Sequence, residues 1–250
     1  MMLRYIACTA ILFCSPVCAQ QFRIDTKVYA NGNKKPISVS QTLFDKAVAY
    51  DFLENPREVA IIELNSGKIQ LVDVARKMVT RVGARQMFQF VAAIQARLLK
   101  KPNRVAVWLF DPKFELNYDP IRRQIKLTHP FLTYTAIGTP VEGKVKGADM
   151  NFQLFADAMA RLNTFRNGVP PRPRLRLNLA MRSRKLIPTK VNRVIAFNSG
   201  PKQTAKSVHT IKWALNEQDL ARIEKAQGYL SDKQFRNVAL RKFAVNLKAN

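Results

Sequence analysis

Residues 58–74 read EVAIIELNSGKIQLVDV, and the pattern of this stretch decides the fold class. Two runs rich in β-branched and aliphatic residues, Glu58–Leu64 and Lys68–Val74, flank the short turn sequence Asn65–Ser66–Gly67. Such runs around a three-residue loop that contains glycine predict a β-hairpin. Because no crossover helix fits between two strands this close along the chain, the strands must be antiparallel.

The same strand pattern continues on both sides of this hairpin. Upstream, alternating apolar and polar residues around the turn signal Asn31–Gly32 predict a further hairpin, and downstream Asp–Pro pairs separate similar runs. The other predicted strands are Phe22–Ala30, Ile37–Phe44, Ala47–Leu53, Arg104–Phe110, Lys113–Tyr118, Gln124–Thr128, Phe131–Ile137, Arg174–Met181, Val191–Phe197 and Ser207–Leu215.

Helices are predicted where the apolar spacing changes to i, i+3, i+4, i+7. Gln86–Lys100 carries such a stripe, and Asp149 can cap a second helix that ends at Asn167–Gly168. Two terminal helices follow, one capped by Asn216 and one by Ser231. The predicted fold class is therefore α+β, with a curved antiparallel β-sheet (a meander or half-barrel) packed with helices, two of them at the C-terminus.

The first 19 residues resemble a secretory signal peptide. Arg4 provides a positive start, Tyr5–Phe13 an apolar run, and Val17–Cys18–Ala19 a small-residue cleavage site. We expect cleavage after Ala19 and an exported product, periplasmic or secreted. A retained anchor is the weaker alternative, because the apolar run is shorter than the roughly 20 residues that span a bilayer.

Cleavage after Ala19 determines which residues the mature chain contains. Residues 20–250 are expected to form a single α+β domain, with a possible sub-boundary at residues 168–173. All three cysteines lie in the removed segment, so a disulfide, a thiol nucleophile and a Cys-ligated zinc are excluded. No later stretch approaches about 18 consecutive apolar residues, so we expect no transmembrane segment in the mature chain.

The composition is globular but very basic. The 250 residues include 42 Lys or Arg and 17 Asp or Glu, which gives a net charge of +25. Apolar residues make up 47%, which excludes wholesale disorder, and 9 Gly with 13 Pro exclude a collagen-like chain.

The excess of positive charge is concentrated in residues 121–216, which hold 18 Lys or Arg and only three acids. Within them, arginines alternate with Pro173, Leu175 and Leu177, so a strand would place the guanidinium groups on one outward face. The anion-binding candidates are Arg172, Arg174, Arg176, Arg182, Arg184, Lys185 and Arg193.

This basic strip has more than one interpretation. It suits an anionic envelope surface such as lipid headgroups or cell-wall polymer, while the simpler alternative is a solvated outer face. Export argues against nucleic acid as a partner, and no base-stacking aromatic residues are interleaved with the arginines.

A family resemblance covers residues 42–77. Thr42–Phe44, Ala49–Phe52, Pro56, Glu58–Glu63, Gly67–Lys68 and Leu71–Lys77 follow one another in the strand–Pro–strand–Gly-Lys–strand order of the periplasmic lipoprotein-carrier (LolA-like) family. The resemblance implies a half-open β-barrel with a helical lid over an apolar cavity that carries acyl chains. The basic segment and paired helices after Gly168 depart from that family's pattern. The whole chain also resembles exported bacterial proteins.

Catalytic motifs are not found in the sequence. His129 and His209 have no metal-ligand spacing, so we expect no metal and no cofactor. Ser207 lies two positions from His209 but has no evident orienting acid. One acidic cluster, formed by Asp111, Glu115 and Asp119 near aromatic residues, could serve glycosidase-type chemistry, although both aspartates precede proline, where aspartate builds turns.

These observations favour three functions in a clear order. The first is an exported, non-enzymatic binding protein that holds an apolar or anionic amphiphilic ligand between sheet and helix. The second is an envelope structural or interaction protein that docks on anionic polymer or lipid through its basic face. The third is an exported hydrolase that uses the acidic cluster.

Overall fold

The computed structural model describes residues 20–100, 113–165, 170–196 and 200–245, in which twelve strands form one sheet. The strands are β1 (Phe22–Ala30), β2 (Ser38–Asp45), β3 (Val48–Leu53), β4 (Glu58–Glu63), β5 (Lys68–Asp73), β6 (Met78–Val82), β7 (Glu115–Asp119), β8 (Gln124–His129), β9 (Leu132–Pro140), β10 (Leu186–Ile195), β11 (Gln203–Lys212) and β12 (Arg236–Asn237). The helices of the same residues are α1 (Ala84–Leu99), α2 (Ala148–Phe165), α3 (Arg172–Arg182), α4 (Glu217–Ser231) and α5 (Leu240–Val245).

The sheet is open and almost entirely antiparallel. Its strand order is β12-β6-β5-β4-β3-β2-β1-β11-β10-β9-β8-β7, and β12 and β7 form its two ends. The pairing of β12 with β6 is parallel, whereas the other ten pairings are antiparallel. The predicted α+β class with an antiparallel sheet and two helices near the C-terminus is confirmed.

The hairpin of residues 58–74 forms as predicted. Glu63 lies opposite Lys68 in the register of β4 and β5, and their side chains form an ion pair at 3.0 Å. Gly67 closes the turn with a φ of 65°, a conformation that glycine adopts without steric cost. Its amide donates to the Glu63 carbonyl at 2.8 Å, so the turn is hydrogen-bonded.

Helices on both faces of the sheet explain why β4 is apolar at consecutive positions. Ala60 and Ile62 belong to the core beneath α1, α2 and α5, on what we call the inner face. Val59 and Ile61 pack with α4 on the outer face. Because both faces of β4 are buried, apolar residues do not alternate with polar ones along this strand.

Two strands, β6 and β12, were not predicted. The sequence analysis left Met78–Val82 unassigned, yet it forms β6 after a turn in which Lys77 takes a φ of 48°. The two-residue β12 then pairs with Met78 and Val79, at the end of the sheet.

The stripe of the second predicted helix faces the core, whereas the described part of the first stripe is mostly half-buried. In α2, Phe152, Phe155 and Leu162 are buried, and in α1 Met87 is buried against the same cluster. The proposed cap is wrong, because α2 begins at Ala148 and Asp149 therefore lies within its first turn. A carboxylate there still favours the helix through the helix dipole.

The strand predicted for Arg174–Met181 is wrong, since these residues lie within helix α3. The segment Arg172–Arg182 has no β-branched residue, and its Arg, Leu, Ala and Met residues favour helix. Pro173 lies in the first turn, where its missing N–H removes no helical hydrogen bond. Pro173, Leu177, Ala180 and Met181 are buried with the helical spacing i, i+4, i+7, i+8, so the Arg–Leu alternation concealed a helical stripe.

The predicted start is correct for the first of the two C-terminal helices and wrong for the second. Asn216 caps α4 as expected: its Oδ1 accepts from the Asp219 amide at 2.8 Å, and Asp219 Oδ2 accepts from the Asn216 amide at 3.3 Å. Ser231 instead ends α4, and its hydroxyl donates to the Gly228 carbonyl at 3.1 Å. The last helix, α5, begins only at Leu240, after β12.

Several predictions lie outside the described residues. They are the signal peptide (residues 1–19), the strand Arg104–Phe110, Asp111, the helix end at Asn167–Gly168, and Phe197 at the end of the strand Val191–Phe197.

A strand over residues 174–181 would place Leu177 and Leu179 on the same face, whereas the helix places them on different faces. Leu177 is 1% exposed and Leu179 is 48% exposed. Leu177→Ala should lower the free energy of unfolding by about 2–5 kcal/mol through lost burial and a cavity. Leu179→Ala should change it by less than about 0.5 kcal/mol. Denaturant unfolding of both variants measures the difference, and equal losses would contradict the helix.

Candidate functional site

A cavity of about 950 Å³ lies between the inner face of the sheet and α2. Every second residue of β1 faces it, namely Ile24, Thr26, Val28 and Ala30, because alternate side chains of a strand share one face. β2, β3, β9, β10 and β11 contribute further lining residues in the same way.

The cavity has an apolar wall and a mixed wall. Phe152, Phe155 and Met159 from α2 form the apolar wall. The sheet side combines aliphatic residues with hydroxyl groups, which come from Thr26, Ser38, Ser40, Thr42 and Ser207. A lining of this kind suits a molecule that is apolar over much of its length and polar at specific points.

Two arginines from the predicted basic strip meet in this cavity. Arg174 extends from the first turns of α3, and Arg193 extends from β10, directly opposite Tyr134 of β9. Burial, together with the positive charge of Arg193, lowers the pKa of Arg174. The Nε of Arg193 is buried and has no hydrogen-bond partner within the described residues.

A relay of side chains holds Arg174 in place. Its Nε donates to Asn178 Oδ1 at 3.0 Å, and Asn178 Nδ2 donates to Asp157 Oδ1 at 2.8 Å. Burial raises the pKa of Asp157, although the bonds from Asn178 and Gln153 oppose that effect. Asn178 therefore lies between the guanidinium and the nearest helix carboxylate, which keeps the two from forming a direct pair.

His209 lies on the sheet wall with both ring nitrogens engaged. Nδ1 is 2.9 Å from Thr26 Oγ1 across the β1–β11 pair, and Nε2 is 3.0 Å from Ser207 Oγ. Burial, and then the nearby charge of Arg174, lowers the pKa of His209 from 6.5 to about 3. The imidazole is therefore neutral at pH 7.

Two carboxylates line the opposite side of the cavity. Asp51 and Glu58 are buried on β3 and β4, and Thr42 Oγ1 donates to Asp51 Oδ1 at 2.7 Å. β3 is four strands from β10, or about 19 Å along the sheet at the usual strand spacing. The cavity is thus polarised, with cations at one side and acids at the other.

One end of the cavity reaches the protein surface at a rim that we define as residues 31–37 and 201–204. The two segments are joined by hydrogen bonds between Asn31 and Thr204, at 2.9 and 3.1 Å. Ile37 is 60% exposed on this rim, and Lys34, Lys35 and Lys202 are exposed beside it.

The other arginines and the lysine of the predicted strip are dispersed. Arg172 and Arg176 lie on exposed positions of α3, whose helical geometry separates them from Arg174. Arg184 lies after α3, where its guanidinium stacks over the Tyr118 ring at 4.5 Å. Arg182 is the last residue of α3, and Lys185 lies in the connection after it with a φ of 53°. The single strip of the sequence analysis does not exist, because its strand is a helix.

The acidic cluster also separates. Asp111 lies outside the described residues, and Glu115 is exposed at the start of β7. Asp119 Oδ1 accepts from the backbone amides of Ile121 and Arg122 at 2.9 and 3.0 Å, so this carboxylate caps a turn. Glu115 and Asp119 are four positions apart on one strand, about 13 Å, whereas paired glycosidase carboxylates are about 5–10 Å apart.

Ser207 and His209 do form the hydrogen bond that their spacing made possible. The other ring nitrogen is held by the Thr26 hydroxyl, and not by a carboxylate that could orient and charge-stabilise the ring. An imidazole with a pKa near 3 is a weak base at pH 7. His129 accepts from the Phe131 amide at 3.3 Å in the β8–β9 turn.

Of the site residues that the sequence does not mark by a motif, Asn178 has a local signal. Asn178 and Asp157 carry no motif, but Arg174 and Asn178 stand at i and i+4, which face each other once the segment is recognised as a helix. Tyr134 and Thr26 are found only through strand pairing. Among the described residues, no group of three His, Asp or Glu could hold a metal ion.

Comparisons with known proteins add no family: the chain matches no protein-family model and no curated protein sequence. The resemblance to the lipoprotein-carrier family therefore stays a prediction. Within the described part of the chain, no helix is both long enough and apolar enough to span a membrane.

The pKa of His209 predicts a specific pH dependence of stability. Because the folded pKa near 3 lies below the ordinary 6.5, the unfolded chain takes up a proton between these values while the folded protein does not. The stability associated with neutral His209 is complete above pH 6.5 and declines as the pH falls toward 3, by up to about 1.4 kcal/mol per unit. The stability difference between wild type and His209→Gln, measured by denaturant unfolding, should shift with pH by this amount. A stability difference between the two proteins that stays constant with pH would contradict the lowered pKa of His209.

Proposed function

We propose that this protein is an exported, non-enzymatic binding protein that holds an apolar or anionic amphiphilic ligand in the cavity between its sheet and α2. The observation that carries the proposal is the cavity itself, whose volume of about 950 Å³ lies at the upper end of the roughly 300–1,000 Å³ of small-molecule sites. Its apolar wall of α2 phenylalanines would bury an acyl chain or a similar apolar group.

A binding role is supported further by the chemistry of the lining. Burial of apolar ligand surface against Phe152, Phe155 and Met159 provides a driving force of about 25 cal/mol per Å². The hydroxyl groups of β2 and β11 provide polar points of contact for a ligand that is not apolar throughout. Such a division between walls favours an amphiphile over a wholly apolar molecule.

The second candidate is docking on an anionic envelope surface through the rim. Ile37 stands 60% exposed beside Lys34 and Lys35, a combination of apolar contact and positive charge that suits anionic headgroups. Such docking is compatible with the cavity, since a carrier must meet a membrane to load or release a lipid. As a function by itself it would need no ligand inside the protein.

Blocking the cavity tests the first candidate. Ala205 of β11 faces the cavity, whereas Thr210 of the same strand is exposed on the other face, opposite Asp25. Ala205→Trp should weaken binding of a fluorescent fatty alcohol such as pyrenedecanol by at least about tenfold, and Thr210→Trp should leave it unchanged. Fluorescence titration gives both affinities, and circular dichroism checks that the variants fold.

Two outcomes separate the candidates. Wild-type protein that does not bind the fatty alcohol, or equal binding by both tryptophan variants, would contradict a ligand cavity. Binding to anionic vesicles that persists in Ala205→Trp is expected if the rim docks independently of the cavity. Native mass spectrometry of the purified protein should also show a bound amphiphile, which identifies its class.

Export makes a separate prediction. The chain expressed in a bacterial host with an intact secretion system should appear outside the cytoplasm with Gln20 as its first residue. N-terminal sequencing of the exported fraction measures this directly. An exported fraction that still begins at Met1 would contradict cleavage, and retention in the membrane fraction would favour an anchor.

A further inference from the structure

We propose that Arg174 and Arg193 form a subsite inside the cavity for the oxyanion head group of an acyl-chain ligand, a carboxylate or a phosphate. The proposal rests on the proposed binding function and deepens it, because it names the ligand as an anionic lipid. It also assigns these two arginines a role that the other members of the basic strip do not share.

The first argument is that the two guanidinium groups form no ion pairs with other described residues, although the Asp157 carboxyl is close enough to Arg174 to oppose the lowering of its pKa by burial. Within the described residues, neither Arg174 nor Arg193 takes part in an ion pair, although Arg23, Lys68, Arg76 and Arg122 do. Arg174 makes one side-chain hydrogen bond there, from Nε to Asn178, and Arg193 makes none. Burial of a cation is costly unless it is paired, so an anion in the cavity would offset the desolvation of Arg174 and of the buried Arg193 Nε.

The second argument is that the two cations converge on one place. Both line the same cavity, and the charge of Arg193 adds to the lowering of the Arg174 pKa that burial causes, whereas Tyr134 and Asp157 oppose it. Tyr134, directly opposite Arg193 in the β9–β10 register, also lies close enough to Arg174 to interact with it. An oxyanion between the guanidinium groups would relieve their repulsion and accept several charge-assisted hydrogen bonds.

The third argument concerns the groups that surround the pair. Asn178 occupies the Nε of Arg174 and holds Asp157 behind it, so the terminal nitrogens stay available for a ligand. His209, whose ring nitrogens are held by Thr26 and Ser207, is neutral at pH 7 and adds no third cation. Asp51 and Glu58 lie four and five strands away from β10, so they do not compete for the pair.

The fourth argument is that the arginines and the apolar wall line one cavity. Phe152, Phe155 and Met159 of α2 face the same space as Arg174 and Arg193. A head group held at the arginine pair would therefore leave its acyl chain against the apolar wall. The acids at the other side would disfavour a ligand bound in the reverse orientation.

The test uses two probes that differ only in their head group, pyrenedecanoate and pyrenedecanol. Wild-type protein should bind the carboxylate about ten- to a hundredfold more tightly than the alcohol. Arg174→Gln and Arg193→Gln should each reduce this ratio, and the double variant should bring it close to one while alcohol binding persists. Arg176→Gln, from an exposed position of the same helix, is the matched control and should leave the ratio unchanged.

The outcomes distinguish this inference from the proposed function. If neither probe binds, the ligand cavity itself is contradicted. If both probes bind wild-type protein equally, or if the double variant keeps the full ratio, the cavity stands and the head-group subsite is overturned. Should a glutamine variant fail to fold, Arg174→Lys and Arg193→Lys retain the charge without the two-pronged guanidinium, and each should lower the ratio only in part.

Competition identifies the source of the oxyanion. Palmitate and lysophosphatidic acid are each titrated against bound pyrenedecanoate, with uncharged monoacylglycerol as the control. Stronger displacement by palmitate assigns a fatty acid, and stronger displacement by lysophosphatidic acid assigns a phospholipid. Displacement by monoacylglycerol at the same concentration as both anions would overturn the subsite.

Discussion

The antiparallel pairing of β1 with β11 is the contact on which the rest of the structure depends. Eight residue pairs, from Arg23 with Lys212 to Ala30 with Ala205, join a first meander, β1–β6, to a second, β7–β11. Without this ladder the protein would be two smaller sheets, and the cavity would lose its continuous wall. The same register places Thr26 opposite His209, so the polar centre of the cavity and the continuity of the sheet have a common origin.

The elements that the sequence predicts well are those determined by neighbours along the chain. The hairpin at residues 58–74, the strand Phe22–Ala30 and the cap at Asn216 each follow from a few adjacent residues. Arg174–Met181 was misassigned because Arg and Leu alternate there, although the helix-favouring residues and the absence of β-branched ones indicate a helix. The cavity was beyond local reasoning, because Arg174 and Arg193 come together only when α3 packs against β9 and β10.

The cavity combines features that folding alone would not select. Two arginines that repel each other, and a histidine whose protonation is suppressed, lower stability relative to an apolar lining of similar shape. The core supplies the stability that tolerates them, since α1, α2 and α5 pack on one face and α4 on the other. Side chains that lower stability are characteristic of functional sites, because the groups that bind a ligand are often not those that stabilise the fold.

The two-residue strand β12 has a consequence for how the molecule behaves among its own copies. Its backbone hydrogen bonds, from Arg236 to Lys77 and from Val238 to Val79, both at 2.9 Å, cover the edge of β6 that would otherwise face solvent. Phe243 of α5 is fully buried and anchors this segment. An uncovered strand edge can pair with a strand of another chain. By covering β6, the C-terminal segment therefore disfavours intermolecular aggregation at this edge.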